Sequence, residues 1–302
     1  MRLLLAGLLA IACGQFANAE TVHSLDQVPN RLKTPEAKKF FSEQMQGKPA
    51  PDLLGVHLPA GFSIEAIVGA LVPPNDKGKP HLVGAKPWPA RPNSYVAIVC
   101  TGGSEPYSAG ESSCARSPND DKEPPLRVYL GVLARNDGGA VSLAAASGAI
   151  DCATDWSRTN LPRQPSAADD AKDGLVKPES FDRFDLANYK IAPDQIAFGL
   201  RGAWSEGYAG GGANFTALCL FVPDGSRLRQ VLAAPMSAYA DIAGDWHKDG
   251  TRDHDITDAA NLLVLSRHRT DGYFDLLLKN RGHDKTQIFH WVKSAAGYRP
   301  SN

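Results

Sequence analysis

The sequence predicts an all-β protein, mainly antiparallel, arranged as a propeller-like or sandwich meander with one N-terminal helix. Three observations carry this. Glycine (28) and proline (22) are spread along the whole chain, which suits many short strands and turns better than helices. The second half alternates short apolar runs with Asp-Gly, Pro-Asp and Gly-rich hinges. Helical periodicity stands out in one place, before residue 50. Self-similarity at a fixed period is faint, so propeller and sandwich both stay open.

The chain opens with Met1-Arg2, an apolar run from Leu3 to Cys13, and Ala17-Asn18-Ala19 before Glu20. A positive start, a short apolar core and an A-x-A site predict a secretory signal peptide over residues 1–19 and a periplasmic protein. The alternative is a lipoprotein anchored at Cys13, because Ala10-Ile11-Ala12-Cys13 ends like a lipobox. Residues 20–59 read as a leader carrying a helix over 34–46. Thr34 caps it, Pro35 sits at its first position, Gly47 stops it, and Ala37, Phe40, Phe41 and Met45 share one face.

Residues 60–180 read as an N-terminal β lobe. Phe62 to Val68 alternates apolar and polar residues and predicts a strand, followed by a loop through Arg91 and a second strand over Tyr95–Cys100. Leu126–Leu133 and Ala140–Ala146 form an expected hairpin around Asn136-Asp137-Gly138-Gly139. The polar stretch from Asp151 to Ser180 is expected to be a loop at the boundary of the lobes. Residues 181–302 form the C-terminal lobe, with strands over Phe184–Ile191, Gln195–Arg201, Thr216–Val222, Leu228–Ala233, Asn261–Ser266, Phe274–Lys279 and Thr286–Val292.

Cys100, Cys114, Cys152 and Cys219 remain after the leader, an even number that permits two disulfides in an oxidising compartment. Three connectivities are open. Pairing Cys100 with Cys114 makes a local staple and leaves Cys152 to tie Cys219; a free buried thiol at Cys219 is the alternative. Charges nearly cancel, Lys+Arg 32 against Asp+Glu 33, and are scattered, which argues against a nucleic-acid partner. No stretch after residue 20 approaches the roughly eighteen apolar residues of a membrane helix, so no membrane span is expected.

Asp245-Trp246-His247-Lys248-Asp249-Gly250-Thr251-Arg252-Asp253 is the one stretch where oxygen ligands recur at a usable spacing. Asp245, Asp249 and Asp253 fall at positions 1, 5 and 9 with Gly250 at the bend, which suits calcium and its six to eight oxygens. His247 replaces the usual acid or amide at position 3, and Ile256 stands where an EF-hand carries a bidentate Glu, so this is not an EF-hand. An ordinary turn with solvated acids is the competing reading. A transition-metal version would use His247 and His254 with a neighbouring Asp.

This acidic loop resembles the D-x-[DN]-x-D-G-x-x-D loops of FG-GAP and integrin-type repeats. Thr270-Asp271-Gly272-Tyr273-Phe274-Asp275-Leu276-Leu277 likewise resembles the D-G-x-x-D-L-L core of FG-GAP and VCBS repeats, and Phe289, Trp291 and Tyr298 are similar to the aromatic final strand of small proteobacterial periplasmic proteins. The resemblance covers about residues 181–300. It implies a calcium site at Asp245, His247, Asp249, Thr251 and Asp253, with Thr251 offering its carbonyl. In the second copy Arg267 and Arg269 stand where the first acids belong, so the resemblance makes that copy a structural turn. Similar sequences include propeller-like inhibitors and immunity proteins directed at lysozyme-type effectors. The expected role is therefore an exported, non-catalytic binding protein against an envelope-targeting, cell-wall-degrading enzyme.

Enzyme signatures are missing. G-x-S-x-G and H-E-x-x-H do not occur, and Gly207 to Gly212 lacks the Lys-Ser/Thr and helix of a phosphate loop. Glycosidase carboxylates are defined by separation in space, on which sequence spacing is silent. His254, His268, His283 and His290 read as structural or solvent-facing. The alternative function is a periplasmic metal-dependent hydrolase using the acidic loop.

Overall fold

A computed structural model describes residues 51–76, 78–102, 113–115, 125–136, 138–139, 141–249, 252–282 and 284–301, together with Asn30. The expected signal peptide, Cys13, the helix over 34–46, Gly250, Thr251 and His283 lie outside the described residues. Residues Asp52–Asn302 form one compact unit.

That unit is all-β and mainly antiparallel. Fifteen strands are described: β1 (Pro80–Pro87), β2 (Ser94–Thr101), β3 (Cys114–Ala115), β4 (Arg127–Arg135), β5 (Val141–Ile150), β6 (Thr154–Asp155), β7 (Leu175–Val176), β8 (Ser180–Ala192), β9 (Gln195–Tyr208), β10 (Gly211–Asp224), β11 (Arg227–Trp246), β12 (Arg252–Thr270), β13 (Tyr273–Asn280), β14 (Thr286–Val292) and β15 (Gly297–Pro300). From β8 to β15 each strand pairs with the next in sequence, an unbroken meander. β1, β2, β4 and β5 join it through a single parallel pair, Arg227 of β11 with Ala146 of β5, and β3 joins it by antiparallel pairing with β8. The whole is a large open sheet with β6 and β7 as a separate ribbon.

The expected hairpin over residues 126–146 is present as β4 and β5. The expected strand at Phe62–Val68 is instead a helix, α1 (Ile64–Leu71). Ser63 takes an extended backbone and its Oγ accepts from the Ala66 N–H at 3.2 Å, a helix cap. Ile64, Ile67, Val68 and Leu71 fit the i, i+3, i+4, i+7 spacing as well as the alternation that suggested a strand, and seven residues are too few for the period to decide. The buried Ile67 and Leu71 pack with Val83, Ala97, Val99 and Tyr129 of the sheet. Gly131 allows this approach, because a Cβ there would lie 2.3 Å from Leu71 Cδ2. The loop expected through Arg91 contains β1, a strand bracketed by two prolines.

The stretch Asp151–Ser180, expected to be a loop, carries β6, β7 and a short helix, α2 (Ser166–Asp170). It is held by a fully buried Trp156, edge-on to Trp204 at 5.4 Å and Phe215 at 5.9 Å. Such aromatic pairs contribute about 0.5–1.5 kcal/mol beyond their buried area. Asn160 adds polar links to the meander, accepting from Asn261 Nδ2 at 2.7 Å and donating to the Leu278 carbonyl at 3.1 Å. Cys100 bonds Cys114 and Cys152 bonds Cys219. One core cluster, with Leu54, Val96, Ile98, Phe184, Phe198 and Phe221, draws on residues from both sides of position 181.

Candidate functional site

Two regions of β12 come into question, one at each end of the strand. The first is the hairpin end where β11 passes into β12. Asp245 is the penultimate residue of β11, Asp249 stands in the turn, and Asp253 lies in β12. Among the described residues, these three carboxylates do not form a convergent ligand group. Asp253 Oδ1 instead faces His247 Nε2 at 2.7 Å. That contact, then the Asp253 charge and the more distant Asp249 and Asp245, outweigh slight desolvation and raise the His247 pKa above its ordinary value. Asp255 pairs with Arg163 at 3.1 Å.

The second region lies at the far end of β12. Thr270 pairs with Tyr273 across a two-residue turn whose Asp271 and Gly272 have φ of 54° and 88°. Two successive positive φ values are what a tight hairpin turn requires, and Asp-Gly supplies them. Arg269 then pairs with Phe274, but the next pair is Leu265 with Leu276, so three residues of β12 lie opposite Asp275 alone. This bulge carries His268. On the other side, the pairing of Leu276 with Phe289 brings Asp275 beside His290 of β14.

Three residues distant in sequence thus meet. Asp275 Oδ2 is contacted by His268 Nδ1 and lies 3.0 Å from His290 Nδ1, while Thr270 Oγ1 donates to Oδ1 at 2.7 Å. The Asp275 side chain is 3% exposed, His290 39% and His268 72%, so a buried carboxylate sits under one open imidazole. Burial pushes the Asp275 carboxyl up, but the hydrogen bonds of Thr270, His290 and His268 together prevail and hold it below its ordinary value. The floor is rigid. Tyr273 stacks on Trp291 at 3.6 Å, Trp291 meets Tyr298 edge-on at 5.3 Å, and Tyr298 Oη donates to the Phe274 carbonyl at 2.8 Å.

Sequence reasoning placed the site at Asp245, His247, Asp249, Thr251 and Asp253; the structure brings His247 to Asp253 and does not gather the carboxylates. It missed His268, Asp275 and His290, reading the turn as structural and the histidines as isolated. One signal was available. A two-residue turn at Asp271-Gly272 sets His268 opposite Asp275 by counting back along both strands. His290 had no such signal, because Asn280 and Thr286 flank a longer connection.

Comparison with known proteins adds no relative. No protein-family model matches the chain, and neither does any curated protein or solved structure. Among the described residues no helix is long and apolar enough to cross a membrane.

Proposed function

We propose that this chain is an exported, non-catalytic binding protein that engages a basic, cell-wall-degrading enzyme through the β11–β12 hairpin. The observation that carries the reading is Trp246, 70% exposed at the hairpin end. Tyr239 and Ile256, also exposed, share one face of the same hairpin, because Tyr239 pairs with Asp258 and Asp241 with Ile256. Exposed Trp and Tyr are the residue types that dominate binding energy at protein interfaces. Between residues 239 and 258 the sequence has six aspartates against Lys248 and Arg252, a field that steers cationic partners. Two disulfides suit the oxidising compartment of an exported protein. The FG-GAP-like motifs support the same role. Calcium at the hairpin end belongs to this proposal only as a rearranged state, in which Asp253 leaves His247 to join Asp245 and Asp249.

Lysis of a cell-wall suspension by a lysozyme-type enzyme tests the role. The protein is expected to inhibit lysis in proportion to its concentration, with Trp246→Ala raising the inhibitory concentration at least tenfold and salt weakening inhibition. Unimpaired lysis at micromolar protein across several such enzymes would refute it. A second reading, a periplasmic metal-dependent hydrolase, is favoured by the grouping of His268, Asp275 and His290; metal-dependent turnover by the purified chain would establish it instead.

A further inference from the structure

We propose that His268, Asp275 and His290 bind a divalent transition-metal ion of the zinc class. The three ligand atoms, one from each residue, all lie within 4.8 Å of one another. Two imidazole nitrogens and one carboxylate oxygen form a donor set that suits zinc, copper, nickel or iron and not calcium, which takes oxygens alone. In a tetrahedron with arms of about 2.0 Å the ligand atoms stand about 3.3 Å apart. The His290 Nδ1 to Asp275 Oδ2 separation of 3.0 Å is within a few tenths of that edge, and the shorter contact of the exposed His268 Nδ1 with the same oxygen must open to admit the ion.

The surroundings favour a metal over a simple ion pair. Thr270 Oγ1 donates to Oδ1 at 2.7 Å, which fixes the carboxylate and leaves Oδ2 for the shared position. Asp275 is buried on a sheet braced by Trp291 and Tyr298, whereas His268 is open to solvent and provides the route of entry. Both histidines present Nδ1 to the same oxygen. On binding, each Nδ1 must be free of a proton, with any proton of the neutral imidazole on Nε2, so uptake competes with protons and weakens in acid. Three protein ligands leave a fourth position to water or to a ligand atom from outside. The site is independent of the hairpin end and of the inhibitory role.

The test uses the full chain, stripped with a chelator and titrated with zinc chloride by calorimetry. One equivalent is expected to bind. His268→Ala, at an exposed position that leaves the fold intact, and His290→Gln are each expected to weaken binding at least tenfold. His247→Ala, which alters the only described imidazole contact at the hairpin end, should bind as wild type does. Cobalt in place of zinc should give visible absorption that His268→Ala lacks. No saturable equivalent in the wild type, or wild-type affinity in His268→Ala, would overturn the proposal. So would loss of binding in His247→Ala alone, which would place the ion at the hairpin end.

Discussion

The two ends of β12 carry similar residue types and behave differently. At the hairpin end, acids five and nine positions into the loop are close in sequence, yet the structure leaves them unconverged and solvated, with Asp253 66% exposed. At the other end, residues 268, 275 and 290 have no motif spacing, yet three strands bring them onto one oxygen. Proximity along the chain is therefore a weak guide to proximity in a sheet. A neighbouring strand at about 4.8 Å is nearer than the next residue but one on the same face, about 6.6 Å along the strand. Burial adds to the contrast, since a carboxylate in water needs no partner and a buried one does.

Removing the carboxylates one at a time gives the largest expected effect. Asp275→Ala should cost about 2–3 kcal/mol, because it removes a buried carboxylate that accepts from Thr270 and pairs with His290 and His268. Asp253→Ala should change stability by no more than about 0.5 kcal/mol. Urea unfolding measures both, and equal midpoint shifts would erase the distinction between the regions.

The pH dependence should differ in sign. Asp275 has a folded pKa below its ordinary value, so its contribution is complete above the unfolded pKa of about 3.9 and fades as pH falls through the folded value. His247 has a raised pKa, so its contribution is complete below about pH 6.5 and fades as pH rises through the folded value. Proton NMR should show the His247 midpoint falling toward its ordinary value in Asp253→Asn, and acid unfolding should begin at higher pH in Thr270→Val than in the wild type. An unmoved His247 midpoint would remove the hairpin ion pair from the account.

Calcium should produce the smallest change. Gathering Asp245, Asp249 and Asp253 requires Asp253 to leave His247, which offsets part of the gain. Millimolar calcium should raise the melting temperature by roughly 2 °C or less, equivalent to under about 1 kcal/mol, and Asp249→Ala should abolish the rise. A rise several times larger would show that the hairpin end closes fully around the ion.

Much of the fold was legible because strand signals are local. Apolar runs bounded by Asp-Gly and Pro-Asp hinges located β8 to β14, and Asn136–Gly139 located the β4–β5 hairpin, since turn chemistry and alternation are properties of consecutive residues. The observed strands run longer than expected. β11 and β12 extend to residues 246 and 252 through polar sequence, because pairing with a neighbour satisfies their backbone whatever the side chains are. Locality also explains the failures. Ile64–Leu71 satisfied two periods at once, and only packing against Val83 and Tyr129 selected the helix. Trp156 lay in a polar stretch, where nothing nearby announced that Trp204 and Phe215 would bury it.

By itself, then, the sequence determined the all-β class, the succession of β8 to β14 along the chain, the tight turn at Asp271-Gly272, and the four cysteines available for bonding. The tertiary structure alone decided which cysteines pair, and that β14 lies against β13 in the register that sets His290 beside Asp275. The physical reason is that register across a longer connection is chosen by burial of whole faces, here Leu276, Leu278, Phe289 and Trp291 in one core. A slip of one residue would turn those side chains out to solvent and separate His290 from Asp275, and no short window of sequence records that choice.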